Sequence, residues 1–418
     1  MAALAEVAES DPHSSYCAFT FGLIHKWSYF QRTIPSSPET YAPLEDAIRT
    51  ALLPKILGRG ISDTERELIS LPCKLGGLGI PNPTETAEVA YQDSKHITQP
   101  LTALICEGRT WLDACAIEEA SKRQRVTERK NEEQAKAKQQ ELILRLPDHL
   151  RRLTRLNSEK GSSSWLTTLP IVDFGFYLNK QSFIDAMCLR YGWRIKGMPS
   201  SCACGTQNSI NHALNCKKGG FVSKRHNEIR DIEAEMLSEV CSPVQTEPQL
   251  LPITGEDVRG NQAEEARLDI AAVGLWGPQE LSFMDVRIFN PNCDSYRDKT
   301  PADVYTLHEN EKKNAYNGRV INVERGTFTP LIFSTSGGWG REATAYHSRL
   351  AKLIAEKRKE EVQHVMAFIR RRLRFSILRT TLIALRGSRT GRRKFCDDIS
   401  TRIVDIDLNL VGDYSRWG

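Results

Sequence analysis

Apolar side chains recur at helical spacing over most of this chain and at strand spacing over only a small part of it. In PLEDAIRTALLPKILG the residues Leu44, Ile48, Leu52 and Ile56 fall every four positions, the stripe of an amphipathic helix. Residues 15–101 as a whole predict a compact helical region, interrupted by the Gly/Pro-punctuated loop LPCKLGGLGIPNP. Residues 116–146 are almost all strong helix formers with interspersed charges and no Pro or Gly, which predicts one long exposed helix that Pro147 ends or kinks. GSSSW at 161–165 reads as a linker, with Trp165 opening the next unit.

Beyond residue 220 the pattern changes. SKRHNEIRDIEAEMLSEV (223–240) predicts a helix with Ser223 as its N-cap. The runs ARLDIAAVGL, ELSFMDVRIF and TPLIFST are rich in β-branched and aromatic residues and predict strands. ADVYTLHENEKKNAYNGRVINV, between the last two, predicts a helix, and two more are expected over 341–359 and 361–386. Helix, strands, helix, strand, helix is an α/β arrangement. No repeat of fixed period is present.

A chain of 418 residues exceeds one ordinary core, so two or three domains are expected. The start MAALAEVAESDPHSS lacks a basic and an apolar region, so no secretory signal is expected. No apolar run approaches the length of a membrane span. Eleven cysteines, an odd count, argue against a disulfide framework. The net charge of +5 permits nucleic-acid binding without requiring it. Charge is concentrated in residues 356–374, with seven basic and three acidic side chains, and continues in Arg386, Arg389, Arg392, Arg393 and Lys394. The plain alternative is a solvated helix face with a basic tail.

Three of the cysteines share a short segment with a histidine. CACGTQNSINHALNC gives Cys202, Cys204, His212 and Cys216, three thiolates and an imidazole that suit a closed tetrahedral zinc site. Gly205 permits a sharp turn after the second ligand, and His212 and Cys216 are one helical turn apart. The alternative is cysteines that merely pack near a surface loop. A site this small would be structural, holding a minidomain without a core of its own.

A second constellation is acidic. Asp269 and Asp285 interrupt two neighbouring apolar strands, with Gly274, Gly277 and Pro278 between them favouring a hairpin-type connection. Carboxylates so placed are costly unless paired or metal-bound. Arg267 and Arg287 each lie two residues from one of them, on the same strand face, so two ion-paired strand carboxylates are the structural alternative. Lys312 follows on the next helix. Two carboxylates holding a hard divalent cation, Mg²⁺ or Mn²⁺, with one lysine beside them, are the equipment of phosphodiester hydrolysis. Glu228 is a further candidate carboxylate, and Arg287 a second candidate basic partner. Lys312 is preferred because a guanidinium cannot give up its proton.

The order of these features resembles the C-terminal region of site-specific non-LTR retrotransposon polyproteins. The resemblance rests on the CCHC cluster, Arg225-His226-Asn227, the two strand aspartates, EKKNAY and Ala384–Ser388, over about 165–390. More weakly, HKWSYFQRTIP, PLEDAIRTALLPKI and GGLGIPNP in residues 15–101 resemble the thumb and linker that follow a reverse-transcriptase palm. The palm itself is absent from this chain. FCDDI, with Asp397 and Asp398, lies after a basic segment without palm sequence before it and reads as a surface turn. This chain departs from the family pattern in Leu268, where the family has proline, in an Asp-to-Asp spacing of 16, and in a knuckle one residue tighter before Cys216.

The resemblance implies an α+β multidomain protein. Its parts would be a helical thumb-like region (1–101), a charged helix and linker (102–160), a CCHC zinc knuckle (161–222), a restriction-endonuclease-like α/β domain with a mixed sheet flanked by helices (223–392), and a tail (393–418). It implies structural zinc on the CCHC cluster and catalytic Mg²⁺ or Mn²⁺ on Asp269 and Asp285, with Lys312 as the catalytic lysine. Arg225, His226, Arg287, Arg370, Arg371, Arg372 and Arg374 would contact phosphates. The implied partners are target DNA and the element's RNA, with no membrane and no assigned oligomeric state. The implied place of action is the nucleus, after cytoplasmic synthesis and ribonucleoprotein assembly. The activity implied is a DNA nick whose 3′-hydroxyl primes reverse transcription. The alternative is a decayed or domesticated zinc-containing nucleic-acid-binding protein. A thumb without its palm would leave Ile48, Leu52 and Ile56 on an uncovered apolar face.

Overall fold

A computed structural model describes residues 1–109, 113–253, 258, 260–387 and 389. The first part is helical: α1 (Ala2–Ala8), α2 (Pro12–Ala18), α3 (Ile24–Thr33), α4 (Ala42–Asp46), α5 (Leu53–Leu57) and α6 (Asp63–Ser70). Ile48, Leu52 and Ile56 are fully buried and share a core with Ala5, Ala8 and Tyr16 of α1 and α2. The expected exposed stripe is therefore covered by this chain's own N-terminal helices. A π-helical stretch, Ala47–Leu52, precedes Pro54, which lacks the N–H a regular helix would use there.

Helices α7 (Pro83–Cys106) and α8 (Ala114–Arg145) run long and pair with each other through Asn131–Asp93 and Lys138–Glu85 contacts. Of α8's side chains, only Ala120, Thr127 and Leu142 are buried. The exposed helix ends, as expected, before Pro147, which precedes α9 (Asp148–Asn157).

GSSSW is not a free tether. The hydroxyls of Ser162 and Ser163 donate to Asn157 O at 2.7 and 2.9 Å, and Trp165 is 1% exposed. The polar residues of this segment are used inward, on a backbone carbonyl, which composition alone does not reveal. There follow α10 (Lys180–Tyr191), α11 (Ile210–Asn215) and α12 (Phe221–Ser238). Helix α12 is entered through Gly220 at φ 72°, a left-handed turn that glycine tolerates, so the N-cap is Gly220 and not Ser223.

The four strands are β1 (Val244–Thr246), β2 (Ile270–Val273), β3 (Leu281–Phe289) and β4 (Thr327–Ser334), in that spatial order. β1–β2 and β2–β3 are antiparallel and β3–β4 parallel, so the sheet is mixed. The sequence pattern gives β2, β3 and β4 but not β1, whose residues Val-Gln-Thr carry almost no pattern. The parallel β3–β4 step is made by α13 (Pro301–Arg319), and α14 (Arg341–Arg358) and α15 (Val362–Arg386) follow. Alternation along β3 sorts its side chains. Met284 and Val286 join the core with residues of α12, α14 and α15, whereas Phe283 packs with Tyr316 of α13. Asp285 shares the α13 side of the sheet with Phe283. The chain is thus a helix-rich α+β protein with a small mixed four-stranded sheet, and among the described residues no helix is long and apolar enough to cross a membrane.

Candidate functional site

The two aspartates meet where β2 begins beside the middle of β3. Asp269 precedes Ile270, which pairs with Met284, so it lies opposite Asp285. One Asp269 oxygen accepts the Val286 backbone N–H at 2.6 Å and faces His226 Nε2 at 3.1 Å. That hydrogen bond to Asp269 raises His226 above its ordinary value, against the pull of burial. Asp285 is 5% exposed and pairs with Lys312 Nζ at 2.6 Å. Burial pushes the Asp285 carboxyl up to about 6; Lys312 opposes that shift and Asp269 adds to it. Lys312 is set over this face by α13, whose start is fixed by a capping box between Thr300 and Asp303.

The structure thus brings together Asp269, Asp285, Lys312 and His226. It does not bring Glu228, whose carboxylate accepts from Ser376 on α15 at 3.4 Å. Among the described residues neither Arg267 nor Arg287 forms an ion pair with Asp269 or Asp285. Arg287 pairs with Glu311 at 2.6 Å, and Glu311 is also 3.3 Å from the buried His308. Two carboxylates suffice for Mg²⁺, which keeps several waters and takes further oxygens from substrate. The residues present fit such an ion.

The arginines expected to touch phosphate are mostly turned inward. Arg225 is 2% exposed and donates to Leu214 O at 3.1 Å. Arg370 donates to Lys160 O and stacks on Trp339 at 4.3 Å. Arg372 pairs with Glu235, and Arg374 donates to Ser162 O and Thr335 O. Burial lowers Arg371 below its ordinary value. Arginine type and spacing suggested a basic face, but α15 spends much of that charge fastening segments distant in sequence. The Asp397–Asp398 pair lies outside the described residues.

Cys202, Cys204, His212 and Cys216 converge. Cys202 Sγ and Cys216 Sγ are 3.8 Å apart and Cys204 Sγ is 3.3 Å from His212 Nε2, with all four donor atoms within 4.8 Å of one another. A tetrahedron with metal–sulfur bonds of about 2.3 Å has edges of about 3.8 Å. Gly205 turns at φ 88°, and Ser209 caps α11 by accepting from the His212 N–H. This Cys₃His cluster can bind zinc. It does not stand apart from the rest of the chain. Ala213 and Leu214 enter the main core, Asn290 donates to Asn211, and Arg389 donates to Ala213 O.

No family model matches the chain. It is 23% identical over 317 residues to the Retrotransposable element SLACS 132 kDa protein of Trypanosoma brucei gambiense. The aligned region covers 70% of this chain and 22% of that protein, so the chain spans about a fifth of its relative's length. This distant likeness supports a retrotransposon origin for the chain.

Proposed function

We propose that the chain is the DNA-nicking part of a retrotransposon protein, a metal-dependent endonuclease of restriction-like type. The observation that carries the reading is the buried Asp285, opposed to Asp269 and paired with Lys312 at 2.6 Å. Asp269 and Asp285 would hold the divalent ion, which supplies charge to polarise the scissile phosphate and to acidify a bound water. Lys312 offsets charge beside the carboxylates and positions the attacking water. His226 fixes the Asp269 carboxylate from α12, a positioning role and not a phosphate contact. Zinc on Cys202, Cys204, His212 and Cys216 would hold the knuckle against α12 and α15. Target DNA and the element's RNA are the proposed partners and the nucleus the proposed site of action.

The test is cleavage of an end-labelled duplex with Mg²⁺. A 5′-phosphate and a 3′-hydroxyl, both absent with Asp285→Asn, are the expected result. A second reading, a zinc-containing nucleic-acid-binding protein without cleavage, draws on one observation: among the described residues the gathered set of three or more metal-ligating side chains is Cys202, Cys204, His212 and Cys216, not the aspartate pair. Salt-sensitive DNA binding with no cut strand in either Mg²⁺ or Mn²⁺ would establish that second reading instead.

A further inference from the structure

At the C-terminal ends of β3 and β4, away from the aspartates, lies a cavity of about 1100 Å³. From Asp285 to its lining residue Asn290 is about 16 Å along the strand. Its walls come from α9, α10, α11, α15 and the loops after β3 and β4. Six arginines and Lys299 line it against three aspartates. Two of those aspartates are engaged, Asp148 with Arg151 and Asp294 with Arg297.

Two cations inside are not neutralised. Arg190 and Arg374 are 4% and 8% exposed. Arg190 donates to Ser163 Oγ, Cys73 O and Gly77 O, and Arg374 to Ser162 O and Thr335 O. These neutral acceptors satisfy hydrogen bonds but leave the charge, and neither guanidinium pairs with a carboxylate among the described residues. Burial, with Arg190 adding its repulsion, draws Arg374 down to about 9. A buried charge without a counter-charge is costly, and two near each other more so.

Three of the lining residues also carry unpartnered donors. Arg190 Nε, Trp165 Nε1 and Thr381 Oγ1 are sealed from the surface with no hydrogen-bond partner among the described residues. Trp165 and Thr381 are each 1% exposed. The lining is also apolar at Ala186, Leu189 and Leu378 and carries the Asn292 carboxamide, that of Asn290 being taken up by Asn211 and the Asn292 N–H. Guanidinium groups without a counter-charge select a phosphate. An apolar surface with side-chain amides suits a base. The volume is that of a small-ligand site.

We propose that this cavity binds a nucleoside phosphate, its phosphate on Arg190 and Arg374 and its base between Asn292 and the apolar floor. The ligand is a free nucleotide or the phosphorylated end of a single strand. The proposal stands apart from the metal site and does not depend on cleavage.

The test is titration of the full zinc-loaded chain, by calorimetry, with AMP, adenosine, a 5′-phosphorylated oligonucleotide and the same oligonucleotide unphosphorylated. Saturable binding of a phosphorylated probe is expected, with its unphosphorylated counterpart at least ~10-fold weaker because the charge-assisted bonds are gone. AMP binding would identify a free nucleotide, and binding of the phosphorylated oligonucleotide alone a strand end. Arg374→Met should weaken binding by about 10-fold or more. Should that variant fail to fold, Ser336→Asp carries the test. Ser336 lines the cavity, is only partly buried and follows Thr335, whose carbonyl receives Arg374. A carboxylate there should weaken binding by a similar factor and raise the melting temperature. No saturation with any probe, a saturating phosphorylated probe bound no better than its unphosphorylated counterpart, or wild-type affinity in Ser336→Asp would overturn the proposal.

Discussion

Replacing Lys312 with Met should cost stability in a pH-dependent way. Its ammonium is the counter-charge of Asp285, at 2.6 Å, with side-chain exposures of 23% and 8%. Removing one partner of a buried pair costs about 3–5 kcal/mol, and the partial exposure of Lys312 argues for the lower end. A second consideration caps the loss. The Asp285 carboxyl, already at about 6, can escape by taking up a proton. At pH 8 that escape costs about 1.4 kcal/mol per pH unit, so roughly 3 kcal/mol bounds the effect. The sign follows. Asp285 titrates higher folded than unfolded, so its contribution to stability is full at low pH and is lost as pH rises through about 6. Removing Lys312 raises that folded value further, so variant and wild type should nearly coincide at pH 5 and separate above pH 6. Urea unfolding at pH 5 and pH 8 measures this, with Asp285→Asn in the Lys312→Met background recovering most of the loss. An equal loss at both pH values would refute the assignment of Lys312 as the charge partner.

Binding of Mn²⁺ should require loss of the Asp285 proton, so affinity should rise about tenfold per pH unit up to about pH 6 and level off above it, as titration calorimetry would show. One zinc per chain is expected by metal analysis, and Cys202→Ser with Cys216→Ser should abolish it and lower the melting temperature by several degrees, since the knuckle packs on the main core. Leu52→Ala, at a fully buried position, should cost about 3–5 kcal/mol in denaturant unfolding. Glu228→Gln should leave cleavage within about twofold, because its carboxylate touches Ser376 and not the aspartate pair.

Periodicity made most of the elements legible. The stripe from Ile48 to Ile56, the long charged α8, the strands carrying Asp269 and Asp285, and the helix carrying Lys312 all show in residue spacing. The Cys₃His cluster was legible because four metal-ligating side chains in fifteen residues have few other uses. What the pattern could not give was direction across the fold. Arg225 and the α15 arginines look like surface cations by type, yet several are sunk among carbonyl groups far away in sequence. His226, expected to touch phosphate, instead meets Asp269, a contact separated by 43 residues. Arg287 sits beside Asp285 in sequence, but Glu311 on α13 captures it. Ser162 and Ser163 read as linker residues because serine is common in tethers, although here their hydroxyls find a buried carbonyl.

We propose that Asp269 and Asp285 form a metal-dependent DNA-cutting site. Supercoiled plasmid incubated with the purified chain and Mg²⁺ or Mn²⁺, beside the Asp269→Ala/Asp285→Ala variant, reports whether they do. Open-circle product from the wild type alone, and none without the divalent ion, is the predicted result. Nicking by both proteins, or by neither while DNA binding persists, would contradict it.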